Sequence, residues 1–97
     1  MKVRFPPEAK QEYTEAVRYY RRIDSTLARE FITRVEERVG AICRNPLAFR
    51  VVTLDIRRCL IAQFPQGLFY IHDAQTVTIY AVMHLHREPG YWIERHP

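Results

Sequence analysis

The chain has 97 residues, 47% of them apolar, and a formal charge of +4 carried by fifteen basic residues, thirteen of them Arg. That length fits one domain over 1–97, and the apolar share excludes a disordered chain. No apolar run approaches the ~20 residues that span a bilayer, and no signal-peptide layout opens the chain, so a soluble cytoplasmic domain is expected.

Lys2 to Phe5 alternates polar and apolar residues and predicts a short strand, ended by Pro6-Pro7. Pro7 suits the first turn of a helix, where its missing N–H costs nothing, and Glu8 complements the positive helix end. Ala9, Tyr13, Ala16, Val17, Tyr20 and Ile23 recur at steps of three and four, which predicts a helix over about 7–22. Asp24-Ser25 breaks the stripe and offers an N-cap. Leu27, Phe31, Val35, Val39 and Ile42 then form a second stripe, predicting a helix over about 26–44 that stops before Asn45-Pro46. So short a break folds the two helices into an antiparallel hairpin.

Beyond Pro46 the period becomes two. Strands are expected over 51–54, 58–64, 68–72 and 76–85, with turns at Pro65-Gln66-Gly67 and Asp73-Ala74-Gln75. Short turns between successive strands imply an antiparallel meander. Glu88 to Arg95 reads as a short helical turn. The expected fold class is α+β: an N-terminal strand, an antiparallel helical hairpin, an antiparallel β-meander and a short C-terminal helical turn. Along the last strand, Val77, Ile79, Ala81, Met83 and Leu85 alternate onto one face, expected beneath the helices. Thr78, Tyr80, Val82, His84 and His86 fall on the other face, away from the main core. Cys43 and Cys59 lie far apart among apolar neighbours and read as buried free thiols.

The chemistry concentrates at the C-terminal end. Met83 to Pro97 holds three His, two Arg, one Tyr and the only Trp. His84 and His86 share a strand face at roughly 7 Å, a spacing for two metal ligands or an acid–base pair. No third ligand stands at a telling spacing, so neither metal nor cofactor is expected. Arg57, Arg58, Arg87 and Arg95 offer a phosphate-binding surface, Tyr91 is a stacking or proton-donating group, and Trp92 reads as a core plug. Tyr19-Tyr20 sits late on the first helix, one ring in the apolar stripe and the other beside it.

Four segments together resemble the RelE/ParE toxin superfamily of bacterial type II toxin–antitoxin modules, whose members include plasmid-stabilisation proteins. They are Glu8-Ala9, Ala16-Val17-Arg18-Tyr19-Tyr20, Arg57-Arg58-Cys59-Leu60 with Gly67-Leu68-Phe69-Tyr70, and Ala81-Val82-Met83-His84 leading into Arg87-Glu88-Pro89-Gly90-Tyr91-Trp92. The resemblance implies a growth-arresting toxin neutralised by a cognate antitoxin. RelE-like members cut mRNA on the ribosome without a metal, and ParE-like members disable DNA gyrase by binding. RelE-like members use Lys and Arg on the middle strands, then an Arg and a Tyr six residues apart. Here His86 and Trp92 take those last two positions, and Leu60 to Gln63 is without a basic residue. This departure places the chain nearer the ParE-like branch.

The resulting expectations are a target-binding surface of Arg57, Arg58, His84, His86, Arg87, Tyr91 and Arg95, and an antitoxin contact at Tyr19, Tyr20 and Phe31. A ribosome-dependent endoribonuclease is the alternative, with His84, His86, Arg87 and Tyr91 as its catalytic group. A third reading is a non-toxic scaffold that only binds antitoxin.

Overall fold

The computed structural model describes residues 1–85. Strand β1 (Lys2–Arg4) leads into helix α1 (Pro7–Ile23) and helix α2 (Ser25–Arg44). A single 3-10 turn (Pro46–Ala48) then delivers the chain to β2 (Arg50–Thr53), β3 (Ile56–Leu60), β4 (Gln66–His72) and β5 (Thr76–His84). Asp24 both ends α1 and starts α2. Its N–H donates to the Tyr20 carbonyl at 2.9 Å, while its carboxylate accepts the Thr26 N–H at 2.9 Å. One residue with extended backbone therefore reverses the chain, and the hairpin follows.

The five strands form one sheet in the order β1-β5-β4-β3-β2. The meander β2 to β5 is antiparallel as expected, but β1 lies parallel to β5, pairing Lys2 with Thr76 through Arg4 with Thr78. The meander reverses direction at each of its three pairings, so β5 runs opposite to β2, and β1, parallel to β5, runs opposite to β2 from the other edge of the sheet. The strand expected from Arg58 to Phe64 is shorter and earlier, because residues 61–65 make the turn and Gln63 sits at φ 71°. Gln66 and Gly67, read as turn, open β4 instead. The expected helical turn at 88–95 lies outside the described residues.

The hairpin packs on one face of the sheet. Val17, Tyr20, Ala28, Phe31, Val35 and Ile42 meet Cys59, Ile61, Leu68, Tyr70, Val77, Ile79 and Val82. Phe31 is wholly buried, with ring centroids of Tyr20 at 5.0 Å, Phe64 at 5.1 Å and Tyr13 at 6.0 Å. The Tyr70 hydroxyl donates to the Pro46 carbonyl, and burial pushes its pKa up to about 12, so it stays a neutral donor. Cys43 and Cys59 are free thiols, and burial raises the pKa of Cys59.

A β-bulge corrects the expected sorting of β5. Phe69 pairs with Ala81 and Tyr70 with Ile79, so Tyr80 is the extra residue. A one-residue insertion exchanges the faces of everything beyond it. Val77 and Ile79 lie under the helices as expected, but Ala81 and Met83 pack with Ile56, Phe69 and Tyr80 in a second cluster on the opposite face. Val82 joins the helix-side core instead.

The β4–β5 turn is held by Asp73, whose carboxylate accepts the N–H groups of Gln75 and Thr76, both at 2.8 Å. These two bonds hold its pKa below the usual carboxylate range. A depressed folded-state pKa means that the stabilisation is present above the ordinary carboxylate range and is lost as pH falls through the lowered value. Asp73→Ala is therefore expected to lower the thermal midpoint at neutral pH. The difference from the parent should shrink as the buffer is acidified, read by melts across a pH series.

Candidate interaction groove

Helix α1 from Glu12 onward and the end of β5 beyond the bulge meet over a cavity of about 470 Å³. Its lining comes from α1 (Glu12, Glu15, Ala16, Tyr19, Tyr20, Ile23) and from the strands and their turn (Pro65, Gln66, Val82, Met83, His84). Had β5 kept strict alternation, His84 would have shared a face with Tyr80. Instead it pairs with Gln66 across the ladder and lines this groove on the helix side, exposed at the surface.

Two polar contacts fix the floor. The Tyr20 hydroxyl donates to Gln66 Oε1 at 2.9 Å, which gives the amide oxygen of this buried side chain a partner. The Val82 N–H donates to Glu12 Oε1 at 3.1 Å. The second contact has a backbone reason. The Leu85 N–H donates to the Pro65 carbonyl, so the N–H groups of Val82 and His84 turn toward the opposite edge of β5. On that edge β1 pairs only with Thr76 to Thr78. Past Thr78, Glu12 supplies the acceptor that a neighbouring strand would have given to Val82. Glu12→Ala removes it and is expected to destabilise the fold by about 1–3 kcal/mol, the cost of leaving such a donor unsatisfied. Glu12→Gln keeps an acceptor and should recover most of that loss in a denaturant titration.

The rim mixes exposed apolar and polar side chains, with Glu15 and His84 beside Tyr19 and Ile23. Tyr19 is 56% and Ile23 60% exposed, with the Tyr19 ring edge-on to Tyr20 at 5.2 Å and 75°. Tyr20 is itself packed against Phe31 and Phe64 and keeps only its margin in the groove. The arrangement offers two projecting apolar anchors beside a strand edge, the elements with which one protein grips a peptide segment of another.

The residues expected to act together separate into different environments. Tyr19 and Tyr20 line the groove, but Phe31 is 0% exposed and belongs to the core. As a contact for a partner Phe31 is corrected: three aromatic rings surround it, and nothing of it reaches the surface. Arg57 turns to the helix side, where its Nη1 donates to the Phe49 carbonyl at 2.7 Å and the Leu47 carbonyl at 3.3 Å, tying down the segment before β2. Arg58 turns the other way, its stem running beside Gly67, where Leu85 also packs. His84 and Arg58 thus lie on opposite faces of the sheet. His86, Arg87, Tyr91 and Arg95 lie outside the described residues. Sequence reasoning missed Glu12, Gln66 and Ile23 as groove residues. For Glu12 the available signal was an acid flanking the apolar stripe between Ala9 and Ala16.

A family model for the ParE toxin of the type II toxin-antitoxin system parDE matches residues 3–89. The chain belongs to the ParE toxin family. The expected placement in the RelE/ParE superfamily, on the ParE side, is therefore correct, as is the α+β fold. Among solved structures, a chain of the "Chromosomal ParDE TA system from P. aeruginosa" superposes with a TM-score of 0.73 at 14% identity, covering 87% of this chain and 95% of that one. At that identity the likeness speaks for the fold. No curated protein matches significantly. No helix among the described residues is long and apolar enough to cross a membrane.

Proposed function

We propose that this ParE-family toxin stops growth by binding DNA gyrase and that a cognate antitoxin, seated across the α1–β5 groove, holds it inactive. The observation that carries the reading is the family match over 3–89, nearly the whole chain. The groove supports the second half. Tyr19 and Ile23 expose apolar surface that a free monomer of this size would bury, beside an edge of β5 left without a strand neighbour among the described residues.

A binding mode of action is supported by the middle of the sheet. Acid–base cleavage of RNA needs a proton acceptor, a proton donor and a cation converging on one phosphate. Arg57 is engaged with two backbone carbonyls, and Arg58 and His84 face opposite sides. The test is controlled induction in a bacterium with and without the antitoxin. The expected result is growth arrest with broken chromosomal DNA and intact message, relieved by the antitoxin. Codon-phased cuts in mRNA with intact DNA would establish the endoribonuclease instead, and unimpaired growth with soluble protein would leave only the scaffold.

A further inference from the structure

The second half of α1 carries a charge cluster that neither the core nor the groove uses. Arg18, Arg21 and Arg22 are all exposed and line one open hollow on the helix surface. None of the three makes an ion pair or side-chain hydrogen bond with any described residue. The contrast with α2 is direct, since Arg34 there is paired with Glu37 at 3.0 Å. Arg18 stands three and four positions from Arg21 and Arg22, spacings at which like charges repel. The negative end of the helix dipole favours Arg21 and Arg22 in the last turn, but its reach is about one turn and leaves Arg18 without that reason.

We infer that this arginine face of α1 binds the phosphodiester backbone of nucleic acid, independently of base sequence. The helix rise sets Arg18 and Arg22 about 6 Å apart along the axis. Successive phosphates of one strand lie a comparable distance apart through space, so the two guanidiniums match neighbouring phosphates of a single strand. Arg forks bind phosphate oxygens in pairs, and thirteen of the fifteen basic residues are Arg. An acidic peptide would need apolar anchors next to the charges. The exposed Tyr19 and Ile23, next to Arg18 and Arg22 in sequence, line the groove and not this hollow, and the hollow on its other side offers only Tyr13, Val17 and Ile32, all at least half-buried between the helices. This surface lies beyond the groove assigned to the antitoxin and does not depend on which cellular target the toxin engages.

The test is fluorescence anisotropy of a labelled random-sequence duplex of about 20 base pairs, titrated with the purified full chain between about 50 and 200 mM salt. Replacing Arg18, Arg21 and Arg22 by Gln should reduce the slope of log affinity against log salt by about 2.7 and weaken binding on the order of a hundredfold. Replacing all three by Lys keeps the charge and should keep the slope. The control removes three exposed charges elsewhere (Lys2→Gln, Arg4→Gln, Lys10→Gln) and should leave most of the affinity. The inference is overturned if the Gln variant retains the parent's affinity and slope, or if the control loses as much. It is equally overturned if poly-glutamate competes as well as unlabelled duplex, which would make the surface a site for acidic protein. Because the Lys variant retains every charge, a folding defect in the Gln variant alone does not remove the test: Lys replacements that abolish duplex binding in a folded protein also contradict it.

Discussion

Phe31→Ala should cost about 3–5 kcal/mol of folding stability, the range for truncating a fully buried aromatic ring. Phe31 has no exposed surface, and the rings of Tyr13, Tyr20 and Phe64 stand around it. It also joins α2 to α1 and to the turn before β4, so the cavity left by truncation would sit where three parts of the chain meet. Domains of this class are stable by about 5–15 kcal/mol, so the loss is a large share of the total. The thermal midpoint should fall by about 15–30 °C. Phe31→Leu, which keeps much of the volume, should cost less than half as much. Any weakening of antitoxin binding by Phe31→Ala should appear only where the variant is partly unfolded. A variant that melts like the parent yet binds antitoxin poorly would return Phe31 to the surface role expected from sequence.

Ile23→Asp should show the opposite separation. Ile23 is 60% exposed at the end of α1, so a carboxylate there meets water in the free toxin and should change stability by less than about 0.5 kcal/mol. If the antitoxin covers the groove, the same carboxylate is buried without a partner, and affinity should fall by about 2 kcal/mol or more, at least about thirtyfold. Tyr19→Ala should act in the same direction by removing a rigid aromatic anchor of the kind that dominates interfaces. Ile23→Leu should be close to silent. Calorimetry of toxin against antitoxin measures the affinity, and melts of the free chain supply the control. In cells, Ile23→Asp should remain toxic when the antitoxin is present. Unchanged affinity for both Ile23→Asp and Tyr19→Ala would move the antitoxin off this groove.

The helices were legible in the sequence because each has one buried stripe and one wet face. The spacing of Ala9, Tyr13, Val17 and Tyr20 and of Phe31, Val35 and Ile42 located both within a residue or so at each end. The same reasoning mis-sorted β5 because both faces of that strand are buried. From Val77 to Met83 the residues are apolar apart from Thr78, so no polar mark shows where the bulge at Tyr80 exchanges them. The parallel pairing of β1 was hidden for another reason: three exposed residues carry no trace of their partner strand. At the groove, the adjacent tyrosines were visible, and one proved buried and one exposed. Phe31 was misplaced because an aromatic on a stripe looks the same whether it meets the core or a partner. Glu12 could be recognised only once the fold brought a backbone donor on β5 within its reach.

Gyrase binding, proposed as the mode of action of this ParE-family toxin, can be measured directly. The most direct measurement is supercoiling of relaxed plasmid by purified gyrase titrated with antitoxin-free toxin. The expected result is inhibition accompanied by accumulation of cleaved plasmid, both abolished by an equimolar amount of antitoxin. Full supercoiling activity with no cleaved plasmid at saturating, folded toxin would rule out gyrase as the target.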